Sequence, residues 1–443
     1  MTGSSSSTIL RTTILSSLVL GLATFPFGTE RAAAQQSTTL APPTSPQDRQ
    51  QPQGSTAPRP PEQKPQGFTL DDNGINYQLG DFKWTGWGYA ELLNQPIGGD
   101  YFRRFRQGSE FDFPRITPTL RPALVYEFDL TDTNFLANGI GNRNGLGRRN
   151  LENLFFAIQD AEDPNKIRAL IGENTHILSR EDNLSSGNLP TINRSLILEE
   201  HGTVHTFGAQ FGVEYGMALT PTWSFAVAAL DNQGSFNAEQ PRYSVGNSLS
   251  AKVTNTAFED KGAGQKLVWG AGIDNTFNIS NQPFGLLTAV AQAQLGSVPV
   301  NGDKLSLEGD VAYTFPSLFA RPTTIEAEGI FSRFDGSRTN VGGGYAMIQY
   351  SLFDKKEHGD LDLFARYDFV DLKTAGISGN VFQQAMRTGF NYNLPYTEKR
   401  VNFRIEYAHN TVQGPADIIT VASRSSDEFR VELRLSLQPY IRH

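Results

Sequence analysis

The sequence predicts an all-β protein: a transmembrane antiparallel β-barrel of about 16 strands, after a signal peptide and a disordered spacer. Three observations carry this. Apolar and polar residues alternate with a period of two from Lys83 to Leu437, with no sustained helical period. Short and long links alternate between those runs. The chain opens on an export signal and holds no other apolar stretch long enough to span a bilayer as a helix.

Arg11 precedes an apolar run over residues 12–27, and Ala32-Ala33-Ala34 offers a small-residue cleavage site before Gln35. Residues 1–34 therefore read as a secretory signal peptide. Gly21 and Pro26 break the run, which argues against a membrane anchor. Residues 35–66 are rich in Pro, Gln, Ser and Thr, cannot bury a core, and read as a disordered spacer or periplasmic tether. The barrel domain is then 67–443. Loss of Arg11, Glu30 and Arg31 takes the formal charge from −8 to −9, which argues against nucleic acid as a partner. With no cysteine, a disulfide scaffold, a thiol catalyst and a cysteine metal site are excluded.

The last strand is the clearest. Phe429, Val431, Leu433 and Leu435 share one face; Glu428, Arg430, Glu432 and Arg434 share the other. The run before it sets Val401, Phe403, Ile405 and Tyr407 against Asn402, Arg404 and Glu406. Earlier runs lie at 361–369, 305–315, 269–279 and 223–229. Short links are expected near 119–122, 161–166, 217–221, 281–285, 354–359 and 395–399. Long ones are expected near 133–150, 175–204, 233–266 and 412–426. That pattern suits short periplasmic turns and longer outer loops. The least regular run is 111–120, where Pro114 and Pro118 each remove a ladder donor. Aromatics near strand ends, such as Tyr313, Phe315, Tyr392 and Tyr440, suit interfacial girdles.

The stretch 167–214 reads as strand, long loop, strand. Its loop of roughly 30 residues mixes Gly, Pro, Asn and Ser with Leu and Ile, and loops of that length are usually functional. In a barrel its apolar side chains, Leu178, Leu184, Leu189 and Ile192, would pack inside and narrow the pore.

The same stretch carries a resemblance. Ile171-Gly172-Glu173, Ser179-Arg180-Glu181, Ser185-Ser186 and Ile192-Asn193-Arg194-Ser195 follow one another before the strand from Thr206. Together with Arg366-Tyr367-Asp368-Phe369, they resemble the phosphate-selective porin O and P family. The resemblance covers residues 84–443. It implies a 16-stranded, trimeric outer-membrane porin whose third outer loop folds into the lumen. Family members selective for phosphate carry constriction lysines. Here residues 175–204 hold Arg180 and Arg194 but no lysine, against Glu181, Asp182, Glu199 and Glu200, a net charge of −2.

By parity Arg115, Arg168, Arg366, Arg387, Arg404, Arg430 and Arg434 point inward. A column of guanidinium groups could pass anions, or could simply pair with neighbouring carboxylates and stiffen the wall. Glu308, Asp310, Glu326 and Glu328 also point inward. The constriction candidates are Arg180, Glu181, Asp182 and Arg194. His201 and His205 have no further clustered ligand, and Gly262–Lys266 lacks phosphate-loop spacing, so neither metal nor cofactor is expected.

The expected function is a non-enzymatic, weakly selective channel for small hydrophilic solutes or anions in the lipid of a Gram-negative-type outer membrane. The alternatives are a phosphate-specific channel and an outer-membrane phospholipase using His409 and Thr411.

Overall fold

A bilayer leaves no strand edge unpaired, because an exposed backbone group finds no water there. The computed structural model meets that demand by closure. It describes residues 67–438, apart from 72, 96–98, 130–150, 185–188, 203–208, 232–245, 288–293, 317–320, 356, 416–418 and 420–424. The expected signal peptide and spacer, the link at 133–150 and Tyr440 lie outside the described residues.

The sheet has eighteen strands. They begin with β1 (Gly67–Asp71), β2 (Gly74–Leu79), β3 (Phe82–Gln95), β4 (Gly99–Asp112), β5 (Leu120–Asp129) and β6 (Leu151–Asp160). Then come β7 (Ile167–Thr175), β8 (Ala209–Ala218), β9 (Trp223–Asp231), β10 (Asn247–Asp260), β11 (Gln265–Leu287) and β12 (Gln294–Pro316). The last are β13 (Pro322–Phe334), β14 (Thr339–Lys355), β15 (Gly359–Lys373), β16 (Val381–Asn393), β17 (Val401–Gln413) and β18 (Ser425–Ser436). From β3 to β18 each strand pairs antiparallel with the next, and β18 returns to β3 from Val431↔Asn94 to Ser436↔Tyr89. Setting β1 and β2 aside, the closed barrel has the sixteen strands expected.

β1 and β2 form a hairpin absent from the expectation. β2 occupies the part of the β3 edge that β18 leaves open, from Ile75↔Gly86 to Leu79↔Phe82. The β2–β3 reversal takes two residues, with Gly80 at φ 60°, a backbone that only glycine adopts cheaply. Arg400 donates to the Asp71 carbonyl at 2.9 Å and ties the hairpin to the turn before β17.

Alternation then sorts the side chains. Ile171, Leu249, Phe331 and Phe429 are exposed on the outer wall, where lipid replaces water; Arg366, Arg404, Glu406 and Arg430 are buried inside. Aromatic pairs gather near the short-turn end, Trp223 with Trp269 at 5.3 Å and Phe258 with Tyr313 at 5.8 Å.

Three expectations need correction. The run 111–120 is no strand: β4 stops at Asp112 and the chain turns over 113–119, which frees Pro114 and Pro118 from any ladder. The stretch 233–266 contains β10, whose Ser, Thr and Asn on both faces imitate a loop. The expected link 281–285 lies inside β11, where turn chemistry in Asn278–Pro283 produces register shifts rather than a reversal.

Candidate functional site

After β7, residues 176–184 and 189–199 lie inside the barrel. Their first anchor is polar. His176 Nε2 lies 3.2 Å from Asp274 Oδ1 and 3.0 Å from Ser250 Oγ, and Lys304 meets the other Asp274 oxygen at 2.9 Å. Lys252 donates to the Leu178 carbonyl at 2.7 Å and pairs with Glu308 and Asp310 at 3.2 and 2.8 Å. Two successive loop amides, Arg180 N and Glu181 N, donate to the Glu328 carboxylate at 3.2 and 2.9 Å.

Glu181 is the hinge pin of the segment. One of its oxygens accepts from Arg366 at 2.6 Å; the other accepts from the Ser195 amide at 2.8 Å. It therefore joins both limbs of the loop to the wall. Arg366 also pairs with Asp368 at 2.8 Å, and Arg387 reaches Asp368 at 3.1 Å while donating to the Asn193 and Arg194 carbonyls. Further along, Asn391 donates to the Pro190 carbonyl and Ile192 N to Glu406, which Arg430 holds from behind at 2.6 Å. Buried pairs of this kind hold geometry because each charge has a partner and further hydrogen bonds.

The second anchor is apolar. Helix α1 (Leu196–Gly202) begins at Ser195, whose carbonyl accepts from Leu198 N and Glu199 N. Leu178, Leu196, Ile197 and Leu198 join one buried cluster with Phe334 and Val370 from the wall. Burying each side chain contributes roughly 1.5–3 kcal/mol. Two inward glycines make room. A Cβ at Gly272 would lie 2.6 Å from Leu178 Cδ1, and one at Gly343 would lie 3.0 Å from Ile197 Cβ and 2.7 Å from the Phe369 carbonyl.

Gly343→Val should therefore push α1 off the wall. A single Leu198→Cys reporter in this cysteine-free chain should then react with a thiol reagent at least about tenfold faster than in the parent. Equal rates would mean that α1 does not depend on this seat.

The wall contacts named above reach β10–β17, and Ile177 packs on Ala228 and Leu230 of β9. The facing wall, β3–β8, carries its own inward pairs: Arg106 with Glu127 and Arg121 with Asp112, both at 3.2 Å. These side chains keep 14–19% of their surface exposed, against at most 1% for Glu181 and Arg366. The loop's own pair, Arg194 with Asp182 at 3.5 Å, is 20% and 10% exposed.

A loop L8 deletion mutant of OmpT, an outer membrane protein of Vibrio cholerae, is 12% identical to this chain. The match covers 80% of this chain and 99% of that one, with a TM-score of 0.52. Outer-membrane expressed OmpT of the same organism matches at 11% identity, 82% and 99% coverage, and a TM-score of 0.50. The outer membrane channel DcaP of Acinetobacter baumannii matches at 14%, 80% and 97%, with 0.48. The chain is an outer-membrane-type β-barrel. No family model matches its sequence, and neither does any curated protein.

The sequence-derived candidates of this barrel fall into three groups. Glu181 is buried against Arg366, whereas Asp182 and Arg194 pair at the partly exposed surface of the loop. Arg180 lies in the field of Glu326, Asp310 and Glu328. Glu308, Asp310, Glu326 and Glu328 are all covered, since the loop lies over them. Arg366, Arg387, Arg404, Arg430 and Arg434 do face inward, but each is at most 3% exposed. Arg404 pairs with Glu432 at 3.2 Å and Arg434 stacks on Tyr89 at 4.8 Å. Arg366 and Arg387 hold the loop, and Arg404, Arg430 and Arg434 brace the wall. Arg168 lies over the Phe155 ring at 4.6 Å on the facing wall. Arg115 does not sit on a strand; it is exposed in turn 113–119 and donates to the Pro118 carbonyl.

Sequence parity overlooked Arg106, Glu110, Asp112, Arg121 and Glu127. Their even spacing on β4 and odd spacing on β5 was available, but treating 111–120 as a strand broke the count there.

Proposed function

We propose that the chain is an outer-membrane porin: a water-filled channel for passive diffusion of small hydrophilic solutes and ions. The observation that carries this is the one-sided loop. Residues 176–184 and 189–198 are fastened to β9–β17, while the β3–β8 wall keeps ion pairs of both signs partly exposed. Solute passes between them. Alternating charges at that gap oppose each other, so selectivity is weak.

A phosphate-specific channel fits less well. Lys252 and Lys304 are inward, but Lys252 is neutralised by Glu308 and Asp310 and Lys304 by Asp274. The phospholipase alternative rests on His409, which meets Asp427 at 2.7 Å on the outward face. Thr411 Oγ1 makes no hydrogen bond to His409, so this reading has less support than the channel. A homotrimer follows the V. cholerae OmpT structure described as a trimer form, which matches with a TM-score of 0.50.

Planar-bilayer recording under a salt gradient tests the proposal. The protein should conduct, with a reversal potential near zero, and deleting residues 184–192 should raise conductance. A bilayer that stays silent would overturn the channel, an unchanged conductance would place the loop outside the path, and block by micromolar phosphate would promote the specific channel.

A further inference from the structure

At the short-turn mouth of the barrel, inward residues of β3–β6 enclose a cleft of about 450 Å³ that the loop clamp does not involve. That volume is in the range of small-molecule sites. Trp87 is its aromatic element. Opposite Trp87 in register is Gly108, where a Cβ would fall 2.3 Å from the indole Cε2. The ring therefore lies flat across a missing side chain. It packs against the apolar patch of Ala123, Val125 and Phe155, and it stays partly exposed to the cleft. Gln159 donates to Glu110 at 3.0 Å and to Asp112 at 3.3 Å, and Arg121 pairs with Asp112.

We infer that this cleft is a binding subsite for neutral polyhydroxylated solutes, of the sugar class, on their way through the channel. The inference rests on the channel reading above. A flat aromatic face takes the C–H face of a pyranose ring and excludes water from it. The carboxylates of Glu110 and Asp112 accept from adjacent hydroxyls on their remaining lone pairs, while Arg121 donates to them. The mixture of charges matters. A free anion meets two carboxylates, and a free cation meets Arg121 and Lys83. A solute rich in hydroxyls, each both donor and acceptor, satisfies both kinds of group without bringing a charge. Because Arg121, Asp112 and Gln159 already hold one another, little ordering remains to oppose binding.

The test is ion-current block in planar bilayers by maltotriose, with glucose 6-phosphate as the charged comparison. Maltotriose should block saturably, and the sugar phosphate at least about tenfold more weakly. Trp87→Ala should raise the half-blocking concentration at least about tenfold, and Trp87→Phe should restore most of the block. Glu110→Gln with Asp112→Asn, which keeps the volumes, should weaken maltotriose and relieve the discrimination against the phosphate. A wild-type channel that conducts but shows no saturable sugar block overturns the subsite and leaves the channel reading standing. Equal block in wild type and Trp87→Ala also overturns it. A wild type that conducts nothing overturns both.

Discussion

Replacing Arg366 by Ala should release the inner loop and cost the barrel about 3–5 kcal/mol, the penalty for stranding a buried partner charge. Arg366 holds Glu181 at 2.6 Å and Asp368 at 2.8 Å, and all three side chains are at most 1% exposed. Asp368 keeps Arg387, so Glu181 is the group left alone. An unpaired carboxylate there also loosens the Ser195 amide that it accepts from, and with it the start of α1. Unfolding followed by gel mobility in detergent should show the loss of stability. Single-channel recording should show larger, fluctuating currents. Glu181→Gln should do less, because Arg366 then still has Asp368. The double variant Arg366→Met with Glu181→Met should recover much of the loss, since an apolar pair leaves no stranded charge. A single Arg366→Ala variant as stable and as quiet as the parent would remove the clamp from the account.

Charge inversion on the facing wall should alter selectivity most. Arg106 and Arg121 are partly exposed beside Glu127 and Asp112, so Arg106→Glu with Arg121→Glu should turn that stretch uniformly acidic. The reversal potential under a salt gradient should move toward the cation. The shift should fade in concentrated salt, because the screening length falls from about 8 Å at physiological strength to about 3 Å at 1 M. Arg404→Glu with Arg434→Glu, the pair that inward parity alone would favour, should behave differently. Arg404 is fully buried against Glu432, so inversion sets two buried carboxylates face to face. That variant should assemble poorly rather than become cation-selective. If it assembled normally and shifted selectivity more than the Arg106 and Arg121 pair, the water path would lie along β17 and β18 instead.

The barrel itself was written in local pattern. A period of two over many successive runs, as in Phe429, Val431, Leu433 and Leu435 against Glu428, Arg430, Glu432 and Arg434, decides which side meets lipid before any partner strand is known. The same pattern made the arginines inward. It could not say whether an inward arginine meets water or another part of the chain, because that depends on where residues 176–184 and 189–202 come to rest. Leu178, Leu189 and Ile192 signalled burial by their apolar character alone. Glu181 gave no such signal: a carboxylate is buried only if a distant partner arrives, and Arg366 is 185 residues away. Polar strands are equally ambiguous in sequence, so β10 looked like loop until β9 and β11 flanked it. The tertiary structure alone decided that the loop is bound to one wall. On the channel reading proposed above, the opposite wall, which keeps Arg106, Arg121 and Trp87 partly exposed, is the one that would meet the solute.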